Sequence, residues 1–172
     1  TPNELGNMKE ARTVLGQADA FSNDYEYTDV SIPYPWQVAV STSGKMAVAN
    51  GSRVLIWNQI PSSPSTPADV VIGHNDFDTE YSGSPSSSVF ADEVYSVAFS
   101  HDDKLLVADS YRVLIWNTIP SANGTPADFV IGQPDFTSTW TGAEPNRFEE
   151  GPKSIVTYYN NGDASEKLLI SD

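Results

Sequence analysis

Arg53-Val54-Leu55-Ile56-Trp57-Asn58 returns as Arg112-Val113-Leu114-Ile115-Trp116-Asn117, 59 positions further on (116 − 57 = 59). Thr66-Pro67-Ala68-Asp69-Val70-Val71-Ile72-Gly73 returns at the same spacing as Thr125-Pro126-Ala127-Asp128-Phe129-Val130-Ile131-Gly132. Repetition at a fixed period sets the architecture before any local assignment is made. Residues that recur in each copy are assigned to the scaffold. Function is sought where the copies differ.

Working outward, each unit reads as four short strands. Trp36-Gln37-Val38-Ala39-Val40 is echoed by Tyr95-Ser96-Val97-Ala98-Phe99, and Lys45-Met46-Ala47-Val48-Ala49 by Lys104-Leu105-Leu106-Val107-Ala108. A tight turn then leads into the Arg-Val-Leu-Ile-Trp-Asn strand, and a Pro/Ser-rich loop precedes the last strand. β-Branched and aromatic runs separated by Gly, Pro, Asn, Asp and Ser are the mark of an all-β chain. No window keeps an apolar face at helical spacing for three turns, which argues against a helical solenoid. A four-stranded antiparallel sheet cannot bury both faces alone. Radial stacking of such sheets, a β-propeller, buries them and leaves only short protected edges. A stacked β-sandwich is the alternative.

The run Pro35-Trp36-Gln37-Val38-Ala39-Val40, with Val107-Ala108-Asp109-Ser110 before Arg112-Val113-Leu114, resembles NHL-repeat propellers. The tail Ala127-Asp128-Phe129-Val130-Ile131-Gly132-Gln133-Pro134-Asp135-Phe136 is similar to the long-repeat NHL proteins found in many bacterial and archaeal extracellular proteins. The resemblance covers nearly the whole chain, with Asn50 standing where an Asp is usual. It implies an NHL-like propeller of four-stranded antiparallel blades. Such proteins include ligand-binding platforms, lyases and scaffolds, so the resemblance decides fold more than function.

The expected organisation is an outermost strand and lead-in loop over 1–31, a first repeat over 32–91, a second over 92–150, and the start of a third over 151–172. Thr13-Val14-Leu15-Gly16-Gln17-Ala18-Asp19 matches a fourth strand and its exit. Lys153-Ser154-Ile155-Val156-Thr157-Tyr158 matches a first strand, and Leu168-Leu169-Ile170-Ser171-Asp172 a second. That is about three blades, whereas closed propellers hold about four to eight. The expectation is a fragment of a larger ring, of about six blades, completed by the parent chain. The rival is completion by a second copy.

The formal charge of −14 comes from 23 acidic and 9 basic residues. Basic residues scattered singly cannot form a cationic track, so binding of a nucleic-acid backbone is disfavoured. Acidity of this degree suits solubility or a cationic partner. With no cysteine, disulfides and thiolate metal sites are absent from this stretch. No apolar run approaches the roughly 18 to 20 residues a membrane span needs. A cleaved leader, a cloning artefact or an internal start would each leave Thr1 as the first residue. The Ser, Thr, Asn and Tyr content points to an extracellular or cell-surface protein.

Arg53, Trp57, Asp109, Arg112 and Trp116 are read as scaffold: a carboxylate beside the tight turn, an arginine that crosses to a neighbouring strand, and tryptophans packed between blades. His74 stands where Gln17 and Gln133 stand in the other copies, so a structural role is expected. His101 lies in a turn and is expected to be solvated. No catalytic residue is assigned, because two histidines offer no Ser-His-Asp or Cys-His set. The copies differ most in the loops leading into each first strand, 22–35, 78–93 and 137–153. They carry Asp24, Tyr25, Glu26, Tyr27 and Asp29, then Glu80 and Tyr81, then Glu144, Arg147, Glu149 and Glu150. Variable loops on rigid strands are the usual binding geometry. The candidate ligand-binding residues are Tyr34, Trp36, Asp92, Glu93, Tyr95, Tyr111, Trp140 and Lys153. Carboxylates interleaved with aromatics suit a sugar, a cationic peptide, or more weakly Ca²⁺; no other cofactor is expected. The sequons Asn50-Gly51-Ser52 and Asn123-Gly124-Thr125 are potential glycosylation sites and equally favoured turns.

The functional expectation is a non-catalytic binding module engaging a protein, peptide or glycan through its variable loops. The alternatives are a propeller enzyme (a metal-assisted lyase or lactone-type hydrolase) and a structural subunit of an extracellular filament or surface layer.

Overall fold

The computed structural model describes residues 13–17, 22, 25–80, 83–142, 144–160, 162 and 165–172. These are all-β, with no helix among them, and so none long and apolar enough to cross a membrane. The first repeat supplies β1 (Pro35–Val40), β2 (Met46–Asn50), β3 (Arg53–Trp57) and β4 (Val70–Ile72). The second supplies β5 (Val94–Phe99), β6 (Leu105–Asp109), β7 (Val113–Trp116) and β8 (Phe129–Ile131). β9 (Ser154–Asn160) and β10 (Ser165–Ser171) form a two-stranded third sheet. Every pairing between these strands is antiparallel and joins chain neighbours. Asp19, Asp24 and Tyr81 lie outside the described residues.

Strands β2, β3 and β6 are buried along their whole length. This explains why they read as continuous apolar runs rather than alternating ones. One face of the first sheet (Ala39, Ala47, Ala49, Val54, Ile56) shares a core with the opposite face of the second (Val97, Phe99, Leu105, Val107, Leu114, Trp116). The same relation recurs one step on. Ala98, Leu106, Ala108 and Val113 of the second sheet pack with Ile155, Leu168 and Ile170 of the third. Small residues on one side thus receive large ones from the next, which lets the sheets approach closely.

The first strands of the three sheets, β1, β5 and β9, are tied at equivalent positions. Gln37 Oε1 accepts the Ser96 hydroxyl and the Val97 amide (3.2 Å), and Ser96 Oγ in turn accepts the Ile155 amide at 2.9 Å. At the far turns, Asp103 Oδ1 accepts the Thr42 amide at 2.9 Å and its hydroxyl at 2.8 Å. One sheet later, Glu166 Oε1 accepts the His101 amide at 2.8 Å. A uniform 59-residue step does not carry through. Val97 pairs with Val107 as Ile155 pairs with Ile170, so the third sheet arrives after 155 − 97 = 58 residues. The residue is lost in the loop before Phe148: Gly73 meets the Phe90 ring 17 positions on (90 − 73 = 17), but Gly132 meets the Phe148 ring 16 positions on (148 − 132 = 16). The Ala91 amide bond to Asp109 likewise recurs as Glu149 to Asp172 (149 − 91 = 58).

Recurrent glycines mark where each sheet leaves for the next. Gly73 and Gly132 hold φ of +93° and +87°, and a methyl group on either would overlap the ring of Phe90 or Phe148. Glycine is required there on both counts. Among the described residues, the stretch expected to be an outermost strand contributes a single parallel bridge, Gly16 to Ser31, while Leu15 packs on the core of the first sheet.

Arg112 reaches Asp109 at the end of the neighbouring β6 through its Nε (2.9 Å), and both buried arginines reach loop carbonyls. Arg53 donates to the carbonyls of Phe77, Thr28 (3.1 Å) and Ser31 (3.1 Å). Arg112 donates to those of Phe136, Ser86 (3.2 Å) and Val89 (2.9 Å). Carbonyls left over at loop ends are the abundant acceptors in a β-fold, and a five-donor guanidinium satisfies several at once. The Trp57 and Trp116 rings are buried, and their indole N–H groups close the Pro-rich loops onto Thr66 O (3.1 Å) and Thr125 O (2.9 Å).

Candidate functional site

Three positions that correspond between repeats converge at one end of β1, β5 and β9. Trp36 meets Tyr95 edge to face, with ring centroids 5.5 Å apart. Lys153 Nζ lies 4.6 Å from the centre of the Tyr95 ring. With Gln37 and Ser154 they line a groove of about 560 Å³. The strands β1, β5 and β9 bring them together because each enters its sheet at the same height. Trp36 is exposed, so its indole face is open to a ligand.

Beside it lies a smaller pocket of about 290 Å³, lined by Tyr27, Tyr34, Gly51, Ser52, Glu80, Ala91, Asp92 and Glu93. Tyr34 tilts against both Tyr25 and Tyr27, at 6.2 and 6.4 Å. Tyr27 covers the Arg53 guanidinium at 4.5 Å. Burial raises the Tyr27 phenol above its ordinary value, opposed by the Arg53 charge. Three carboxylates and two phenols around one pocket favour a cationic or hydroxyl-rich ligand over an anion.

Six of the eight sequence-predicted site residues therefore fall in two adjoining depressions: Trp36, Tyr95 and Lys153 in one, and Tyr34, Asp92 and Glu93 in the other. Tyr111 and Trp140 line neither. They belong to a separate loop cluster held by Gln133, whose amide donates to Tyr111 O (3.0 Å) and Trp140 O (2.8 Å) and accepts the Trp140 amide (3.0 Å). Arg147 lies 5.0 Å from the Trp140 ring. Gln37, Gly51, Ser52 and Ser154 were missed as lining residues. Gln37 carried a usable signal, a polar residue inside an otherwise apolar strand.

Ser52 Oγ lies 3.1 Å from His74 Nε2. The hydroxyl donates to Glu80 O at 3.0 Å, so its proton is committed to a loop carbonyl. In the second repeat Gln133 makes the corresponding tie between Tyr111 and Trp140. The pair is a loop fastening, and burial followed by the Arg53 charge keeps the His74 pKa below 6.5. His101 is exposed but stacked on Tyr159, with centroids 4.0 Å apart. Asp76 and Asp135 close their own loops, Asp135 through Thr137 and Ser138, whose hydrogen bonds hold its carboxyl down at about 2.

Among the described residues no three His, Cys, Asp or Glu side chains gather where they could hold a metal ion. Asn50 is fully buried and its Oδ1 accepts the Tyr34 amide at 2.8 Å, so the first sequon is inaccessible in the fold. Asn123 is exposed, and with Gly124 it covers the edge of β4. Val71 N–H donates to Asn123 Oδ1 (3.0 Å) and Gly124 N–H to Val71 O (3.0 Å). No known family model and no curated protein matches the chain.

Proposed function

We propose that this chain is a non-catalytic binding module built as part of an NHL-type β-propeller, acting outside the cell. A peptide or glycan is gripped at the mouth of the innermost strands. The supporting observation is the alignment of Trp36, Tyr95 and Lys153, one from each sheet, along a single open groove. An exposed indole beside an edge-on phenol offers an apolar platform, and Lys153 and Gln37 add polar contacts for orientation. The carboxylates of Glu80, Asp92 and Glu93 extend the grip towards cationic groups. The step-by-step stacking of small faces on large faces supports sheets fanned about one axis.

Screening the chain on peptide and glycan arrays tests this. Trp36→Ala and Tyr95→Ala are each expected to weaken a hit by about tenfold, the scale of one aromatic contact. Binding untouched by both substitutions, or no hit on either array, removes the assignment.

A further inference from the structure

The pocket beside the groove is walled by both repeats and holds acidic groups that the scaffold does not use. Elsewhere carboxylates fasten turns: Asp69 and Asp128 accept the Asn58 and Asn117 amides, both at 2.7 Å. The side chains of Glu80, Asp92 and Glu93 make no hydrogen bond or ion pair among the described residues, yet all three line this one cavity of about 290 Å³. Arg53, fully buried against the Tyr27 ring at 4.5 Å, offsets one of the three charges and leaves two (3 − 1 = 2). Gly51 keeps the cavity open, since a methyl group there would come within 2.9 Å of the Tyr27 hydroxyl.

Two features select the kind of cation. Among the described residues no three acidic groups gather tightly enough to hold a metal ion, so the charge is spread around the rim. The walls between are aromatic: Tyr34, 47% exposed, tilts against Tyr27 with ring centroids 6.4 Å apart. Spread carboxylates and phenol rings suit an ammonium or guanidinium at the end of an alkyl stem. The volume sits at the small end of ligand cavities, with room for one side chain.

We infer that this pocket takes the lysine or arginine side chain of a peptide whose neighbouring apolar residue lies on Trp36 and Tyr95. The inference rests on the binding reading above and narrows its peptide-or-glycan ligand to a basic peptide. Tyr34 and Glu93 precede Trp36 and Tyr95 by two residues each. Pocket and groove are therefore within about 7 Å along the strands, the reach of two residues of extended chain. Lys153, 4.6 Å from the Tyr95 ring, gives the ligand its direction. Its charge bars a second cation from the groove and leaves the pocket as the place for one.

Arrayed synthetic peptides containing Lys or Arg, each beside a copy with acetyllysine or citrulline in its place, test this on the 172-residue chain. The expected result is binding of basic peptides that weakens about tenfold in the uncharged copies and declines with added salt. Glu80→Gln, Asp92→Asn and Glu93→Gln should each weaken it about two- to fivefold, the scale of a solvent-accessible charge pair. Circular dichroism should stay unchanged in all three, because these side chains hold no turn. Tyr34→Leu serves as a further variant that removes the aromatic wall and keeps the charge. Peptide binding that is lost in Trp36→Ala yet indifferent to ligand charge and to the three amide variants overturns the inference and leaves the binding reading standing. Hits confined to glycans, or peptide binding that requires added Ca²⁺, overturn it as well. Silence on both arrays removes the two readings together.

Discussion

The two buried arginines sit in matching cages and are neutralised differently. In the second repeat Asp109 Oδ1 accepts the Tyr111 and Arg112 amides, both at 3.0 Å. Its Oδ2 accepts the Ala91 amide (3.0 Å) and Arg112 Nε (2.9 Å), giving a fully buried ion pair. In the first repeat Asn50 replaces the carboxylate. Its Oδ1 takes the Tyr34 amide, and both Asn50 Nδ2 and Arg53 Nε are left without a hydrogen-bond partner. Flipping the amide would only exchange one orphan for another, since one oxygen cannot face both donors while the NH2 faces neither. The Tyr27 ring stands in for the missing charge. Burial pushes the Arg53 pKa down from 12.5 to about 10, a penalty on the order of 3 kcal/mol that is present in full at neutral pH. The carbonyl cage is thus what both copies require, and the counter-charge is what may vary between them. Where it is relaxed, the turn opens onto the tyrosine- and carboxylate-lined pocket.

The largest expected effect comes from stranding the carboxylate. Arg112→Met should cost about 3–5 kcal/mol in urea unfolding, because Asp109 stays buried without its cation. Arg53→Met should cost less, about 1–3 kcal/mol, since only neutral carbonyls lose a partner. Equal costs would mean that the ion pair contributes nothing beyond the cage.

Asn50→Asp is expected to work in the opposite direction and stabilise the chain by about 1–3 kcal/mol, by giving Arg53 Nε and the Tyr34 amide acceptors on one carboxylate. A lower unfolding midpoint in that variant would show that Tyr27 already neutralises Arg53 fully.

The smallest effect concerns His74 against Gln133. Because its folded pKa is lowered below the unfolded 6.5, the folded state resists the proton. Its contribution is whole above pH 6.5 and declines as pH falls from there towards the lowered value. His74→Gln should therefore flatten the loss of stability on the acid side, read as unfolding midpoints from pH 7 to 5. An unchanged slope would mean that other groups govern that range.

The sequence by itself determined the all-β class, the four-strand unit, its period and the recurring arginine and tryptophan. These follow from local patterns of side chains repeated at equal spacing, and local chemistry is what a sequence displays. His74 was readable as structural for the same reason, because Gln133 performs its task in the sister copy. Only the tertiary structure decided which loop residues share a depression. Trp36 and Lys153 lie 117 residues apart (153 − 36 = 117), with Tyr95 between them, and the three meet because three sheets start at one height. Tyr111 and Trp140 are drawn aside by one glutamine. The 58-residue step into the third sheet, and the exposure of Val38 beside the burial of Val97, arise the same way. Identical residues in corresponding strands acquire different surroundings once a neighbouring sheet covers one copy and not the other, and packing between distant segments is invisible in any single window of chain.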